Sequence, residues 1–136
     1  MQRFAEQIAY YLEMFHHGNV DDSFHGLLEL DRDILPELMA VFRQEQDAEV
    51  REFLVEVIWQ YRDSSVIPFL GEALSDPDPR IWRQALDGLV ALASPAGLDI
   101  LHMARARRFA TERETKEFCH WLEDAIDQAE KVMKEA

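Results

Sequence analysis

Apolar side chains recur every three to four residues along most of the chain, which is the spacing of one face of an α-helix. No stretch of useful length alternates apolar and polar residues with the period of two that marks a half-buried strand. The pattern therefore predicts an all-α fold of about eight helices joined by turns of two to six residues. The last and longest predicted helix has an apolar stripe of Phe118, Trp121, Leu122, Ile126, Ala129 and Met133.

Residues that cap backbone N–H groups mark several predicted helix starts. The predicted caps are Asp33, Asp78, Ser94 and Thr111. Asp78 and Ser94 each precede a proline, a residue that is tolerated at the first helical position because its missing N–H has no helical partner there. Thr111 and Glu114 have the spacing of a capping box.

The chain also contains an internal repeat. Residues 47–74 align without gaps on residues 78–105 at a shift of 31, and each copy begins with an aspartate. The apolar register is kept, since Val50 falls on Ile81 and Leu70 falls on Leu101. A weaker copy lies upstream, and its second half aligns once one inserted residue is allowed. A period near 31 with two helices per unit predicts an α-solenoid, in which each hairpin packs on its neighbours.

The repeated segments resemble HEAT repeats. Asp47-x-x-Val50-Arg51 and Asp78-Pro79-x-Ile81 carry the resemblance over about residues 47–105, and Trp82 departs from it where the repeat usually has Arg. The short period is similar to the HEAT-like units of the phycobilin-lyase type. The resemblance implies a HEAT/ARM-like α-α superhelix of antiparallel hairpins that serves as a scaffold for binding other macromolecules. It implies one domain over 1–136, with capping helices at 1–20 and 108–136 and about three hairpin repeats over 21–107.

The charge is strongly negative and unevenly distributed. The chain has 27 acidic and 14 basic side chains, a net charge of −13, and residues 21–56 hold eleven acids against three arginines. Such a surface repels nucleic acid and favours a basic protein partner, although a run of acids also suits a merely solvated helix face. The four arginines of residues 105–113 are expected to cap helix C-termini or to pair with acids rather than to bind a ligand.

Motifs for catalysis, metals and membranes are not found. There is no Gly-rich phosphate loop, nucleophile elbow, H-E-x-x-H or C-x-x-C, and no histidine precedes a glutamate as in the di-iron HEAT hydroxylases. The single Cys119 excludes an internal disulfide and fits a reducing compartment. The N-terminal stripe contains acids, unlike a signal peptide, and no apolar run is long enough for a membrane span. We therefore predict a cytoplasmic, bacterial, non-enzymatic protein that takes no cofactor or metal and does not associate with membranes.

Eight side chains are candidate contacts for a partner: Glu37, Glu49, Glu52, Glu56, Trp59, Phe69, Glu72 and Trp82. The three glutamates of residues 49–56 have i, i+3 and i+7 spacing and form one acidic stripe on a predicted helix. The two tryptophans lie off the main apolar stripes, and tryptophan is a common anchor of interfaces. The resemblance implies that the remaining three lie on second helices of hairpins, which line the concave face. Packing between repeats is the alternative role for the three aromatic residues.

Three functions are compatible with these features. The leading interpretation is a protein–protein interaction module whose acidic surface binds a basic protein, most concretely an inhibitor or immunity protein that neutralises a nuclease-type toxin. The second is an assembly or chaperone-like relative of the HEAT-type phycobilin lyases, which calls for an exposed apolar groove. The third is a self-associating structural protein in which Trp59 or Trp82 seals a dimer. The expected state is a monomer or a weak dimer.

Overall fold

The computed structural model describes residues 3–135, and within this range the chain forms eight α-helices and no β-strand. The helices are α1 (Ala5–His16), α2 (Val20–Leu28), α3 (Leu35–Gln44), α4 (Ala48–Gln60), α5 (Ile67–Leu74), α6 (Pro79–Ala91), α7 (Pro95–Met103) and α8 (Glu112–Glu135). Short 3₁₀ turns lie at Arg32–Ile34, Ser64–Val66 and Ala104–Ala106. The predicted all-α fold class is confirmed.

The helices group into two compact units that divide between Arg62 and Asp63. In unit 1, which contains α1–α4, α1 packs on α2, α3 on α4, and α2 on α4. In unit 2, which contains α5–α8, α5 packs on α6 and α7, while α6 and α7 both pack on α8. Packing between successive helices is the arrangement that short turns favour. The sequence-based division into caps and three repeats within one domain stays a prediction.

In unit 1, two small residues allow α1 and α2 to approach closely. Ser23 is fully buried, and its hydroxyl donates to the backbone oxygen of Tyr11 over 2.6 Å. One turn further along α2, a Cβ atom added to Gly26 would lie 2.1 Å from Cε1 of Tyr11. The Tyr11 ring therefore occupies the space that any other side chain at position 26 would need.

The hydroxyl of Tyr61 ties the end of α4 to the end of α2. It contacts the backbone oxygens of Leu27 and, over 3.1 Å, Leu30. Burial, with a smaller contribution from the charge of Asp31, raises the pKa of Tyr61 to about 12. A protonated phenol therefore donates to carbonyl groups at the C-terminal end of α2, where the i+4 N–H partners of the helix interior are missing.

In unit 2, an aromatic cluster joins α6 to α8. The ring of Trp82 meets Phe118 edge-on at a centroid distance of 5.0 Å, and Phe109 lies 5.2 Å from Phe118. The Arg107 guanidinium lies 3.9 Å from the centre of the Phe109 ring. It donates to the backbone oxygen of Leu74 over 2.6 Å and to that of Asp76 over 2.9 Å, so it caps the C-terminal end of α5.

Three of the four predicted caps are confirmed. Asp78 accepts a hydrogen bond of 2.9 Å from the Arg80 N–H, as predicted. Asp47, which begins the first repeat copy, caps its helix in the same way by accepting from the Glu49 N–H over 2.9 Å. Ser94 and the Thr111–Glu114 capping box also act as predicted. The prediction for Asp33 is wrong. A 3₁₀ turn precedes α3, so the cap lies two residues earlier, where Asp31 accepts from the Asp33 N–H over 2.8 Å.

Candidate partner-binding surface

The predicted acidic stripe lies on α4. Glu49 is exposed, and Glu52 and Glu56 are half-buried. Seven of the thirteen residues of α4 are buried, namely Val50, Phe53, Leu54, Val55, Val57, Ile58 and Trp59. At 100° per residue, the three glutamates fall within about 60° of the helix circumference, in the gap that these buried residues leave. The packing of the rest of the helix therefore holds the stripe in a fixed orientation.

The carboxylates of Glu49 and Glu52 carry uncompensated charge. Within residues 3–135, neither is paired with a cationic side chain. The sequence of unit 1, residues 1–62, contains thirteen acidic and five basic side chains, a net charge of −8. Three exposed acids in α2 and at its C-cap contribute to this field, namely Asp21, Asp22 and Glu29. Two unpaired carboxylates on a packed helix in a negative field attract cationic surfaces and speed their association.

Glu37 lies in a different place, between α1 and α3. Its Oε2 accepts a hydrogen bond of 2.8 Å from the backbone N–H of Phe4, the N-cap residue of α1. The side chain lines a groove of about 270 Å³ together with Ala5, Ile8, Ala9, Leu12, Ala40, Val41 and Gln44. The structure thus gathers the α4 glutamates into one stripe and gives Glu37 a separate, mostly apolar setting.

The three aromatic candidates are buried, and the remaining acidic candidate in unit 2 is exposed. Trp59, Phe69 and Trp82 are buried, with exposed fractions of 8%, 3% and 2%. Packing accounts for all three positions, and a role in partner contact stays a prediction for them. Glu72 is exposed on α5.

Trp121 is an exposed aromatic residue that the sequence interpretation placed on the buried stripe of the last helix. Its exposed fraction is 41%, whereas Phe118 and Leu122 are fully buried. The Arg83 guanidinium lies 4.7 Å from its ring centre and pairs with Glu117. Trp121 lies about 80° from the middle of the buried face of α8, and this angular offset is the sequence signal that identifies it.

A second groove, in unit 2, lies between α5 and α7. It has a volume of about 580 Å³ and is lined by Gly71, Leu74, Ser75, Ile100, Met103, Ala104, Ala106 and Arg107. Met103 is 78% exposed, which is unusual for a large apolar side chain. Arg107 is already engaged by backbone oxygens, so the groove presents mainly apolar surface.

Three of the four arginines of residues 105–113, namely Arg105, Arg107 and Arg108, have structural partners within unit 2. Arg105 donates to both carboxylate oxygens of Glu123 over 2.8 Å. This hydrogen bonding lowers the pKa of Glu123 and raises the pKa of Arg105. Arg107 caps α5, and Arg108 donates to the backbone oxygens of Arg105 and Arg107. Arg105, Arg107 and Arg108 therefore stabilise contacts within unit 2.

Metal-binding clusters and membrane-spanning helices are both absent from residues 3–135. No group of three or more histidine, cysteine, aspartate or glutamate side chains in this range is arranged to hold a metal ion. None of the helices in this part of the chain combines the length and the apolar character that crossing a bilayer requires.

Comparison with known proteins identifies the repeat. A family model for HEAT repeats matches residues 35–115, which run from the start of α3 into the first turn of α8. No curated protein and no solved structure matches the chain. The match covers more than half of the 136 residues and includes both copies of the internal repeat. The chain therefore belongs to the HEAT-repeat family.

Proposed function

We propose that the protein is a non-catalytic protein-binding module whose acidic unit-1 surface binds a basic protein. HEAT repeats generally mediate interactions between proteins. The observation that carries the proposal is the α4 stripe, where Glu49 and Glu52 have no cationic partner among the described residues. Folding leaves these charges uncompensated, and a cationic surface brought by a partner would neutralise them.

The most concrete form of this function is a bacterial immunity protein in the cytoplasm. A nuclease-type toxin binds phosphates through lysine and arginine side chains, so a rigid row of carboxylates suits its active site. The direct test is co-expression with a toxic, Lys- and Arg-rich domain encoded beside this gene. Cell survival that requires Glu49 and Glu52 supports this form, and death in the presence of the intact chain refutes it.

Binding of a decalysine peptide, measured by isothermal titration calorimetry, tests the electrostatic surface itself. We expect binding at about 20 mM NaCl and a steep loss at about 300 mM, because salt screens exposed charges. The double variant Glu49→Lys/Glu52→Lys should lose binding. Asp127→Lys/Glu135→Lys changes two exposed acids of α8, shifts the net charge equally and should retain most of the affinity. Equal losses in the two variants would show that net charge alone attracts the peptide.

The α5/α7 groove favours a second function, that of an assembly or chaperone-like relative of the HEAT-type phycobilin lyases. The supporting observation is the exposed Met103 beside a groove of about 580 Å³. Titration with biliverdin provides the test, with Met103→Glu as the variant that should abolish binding. If biliverdin does not bind the intact chain, this candidate is eliminated. The self-association alternative predicts a mass that rises with concentration in analytical ultracentrifugation.

A further inference from the structure

The α1/α3 groove combines small apolar walls with one carboxylate. Its polar lining residues are Glu37 and Gln44, both on α3, and its remaining lining is alanine, isoleucine, leucine and valine. Ala5, Ala9 and Ala40 leave room between the two helices because they project only a methyl group. The groove is therefore shaped for the apolar face of another helix, as in helix-in-groove recognition.

The carboxylate of Glu37 is oriented but not neutralised. Its Oε2 accepts from the Phe4 N–H, which fixes the side chain against α1. No cationic side chain of residues 3–135 pairs with it, and the residue is half-buried among apolar neighbours. A charge in such a setting has lost part of its hydration, so a cation supplied from outside gains more there than at an exposed carboxylate.

We propose that this groove binds an amphipathic helix of the basic partner that directs a single Lys or Arg side chain to Glu37. The inference rests on the proposed function and adds the recognition element. Small and apolar residues of the bound helix lie between α1 and α3, on either side of the cation. Gln44 is two turns beyond Glu37 on the same face of α3, about 10 Å away, and offers an amide to a polar residue of the bound helix. The groove would bind a single cation among apolar residues of the partner, whereas the α4 stripe would bind several cationic side chains.

A pair of blocked helical peptides provides the probe. Both have an alanine and leucine face and a neutral glutamine face, and they differ only in a central lysine or norleucine on the apolar face. The intact protein should bind the lysine peptide about tenfold more tightly in isothermal titration calorimetry, the effect of one charge-assisted hydrogen bond. Glu37→Gln keeps an oxygen for the Phe4 N–H but removes the charge, so the preference should disappear while the norleucine peptide binds unchanged.

A groove-filling variant tests the location. Ala40→Trp should weaken binding of both peptides, whereas Ala96→Trp, on the exposed surface of α7, is the matched control and should leave both unchanged. Circular dichroism checks that each variant is folded. Equal affinity of the intact protein for the two peptides, or a lysine preference that survives in Glu37→Gln, overturns the proposal. Full displacement of the lysine peptide by hexylamine at the same affinity also overturns it, because the site would then take a small amine.

The two proposals can fail separately. Glu37→Gln should leave decalysine binding to the α4 stripe largely intact. If the intact protein does not bind decalysine but still prefers the lysine peptide, the proposed electrostatic surface is contradicted and the groove proposal stands. If it binds decalysine but shows no preference for the lysine peptide, the groove proposal is contradicted and the electrostatic surface stands.

Discussion

Replacing Tyr61 with phenylalanine tests how α2 and α4 are held together. The variant removes one hydroxyl that contacts the backbone oxygens of Leu27 and Leu30. Leu27 keeps a second donor, the N–H of Leu30, so only part of the hydrogen bonding at the end of α2 is lost. The expected loss in the free energy of unfolding at pH 7 is about 1 kcal/mol, the net value of one such hydrogen bond.

The pH dependence of this loss separates a hydrogen bond from a packing defect. Because folding raises the pKa of Tyr61 from its ordinary value of 10.0 to about 12, the stability that the protonated phenol contributes is complete below pH 10 and is lost as the pH rises towards 12. The loss reaches at most about 1.4 kcal/mol near pH 11, and less where water screens the partly exposed ring. Phenylalanine does not titrate, so the difference between variant and wild type should shrink to near zero by about pH 11.

Urea unfolding followed by circular dichroism, in steps from pH 7 to about pH 11, measures this difference. Tyr10→Phe is the matched control, since Tyr10 is 62% exposed and should show no difference from wild type. A Tyr61→Phe deficit that stays constant with pH would refute the reasoning, because it would mean that the hydroxyl does not titrate at a raised pKa.

Three further predictions concern packing inside each of the two units, and urea unfolding measures each. Gly26→Ala should destabilise the protein by about 1–2 kcal/mol, because overpacking against Tyr11 outweighs the higher helix propensity of alanine, and Tyr11→Leu in the same chain should restore part of the loss. Arg107→Met should lower the free energy of unfolding by about 2–3 kcal/mol, because it leaves two backbone carbonyls without a donor. Arg107→Lys should have an intermediate effect. A loss below about 1 kcal/mol in Arg107→Met would contradict the prediction. Trp82→Ala should cost about 3–5 kcal/mol and Trp121→Ala under about 1 kcal/mol, so similar values would contradict the assigned burial.

Local rules of helix formation account for what the sequence predicted correctly. Periodicity identifies each helix, and a capping box such as Thr111 with Glu114 needs only residues within one turn to form. The same locality explains the error at Asp33. A 3₁₀ turn and a first α-helical turn have similar sequence requirements, so the sequence does not show at which of two nearby aspartates the chain first turns.

Burial and grooves depend on neighbouring helices, which periodicity does not specify. Trp59 lies off the main stripe of its own helix and is nevertheless buried, because α4 is covered on most of its circumference. Trp121 lies near the stripe of α8 but at the edge of the covered face, so it is exposed. The sequence selected Glu37 by its place on a second helix, yet the groove that gives it an apolar setting exists only because α1 lies beside α3.

The distribution of the tryptophans makes each unit optically separable. Trp59 belongs to unit 1, whereas Trp82 and Trp121 belong to unit 2. Replacing both unit-2 tryptophans with phenylalanine leaves the emission of Trp59 as a signal from unit 1 alone, and Trp59→Phe gives the complementary reporter. Comparing their denaturation midpoints then shows whether the 31-residue repeats unfold in one cooperative step, as the predicted single domain requires, or as two foldons.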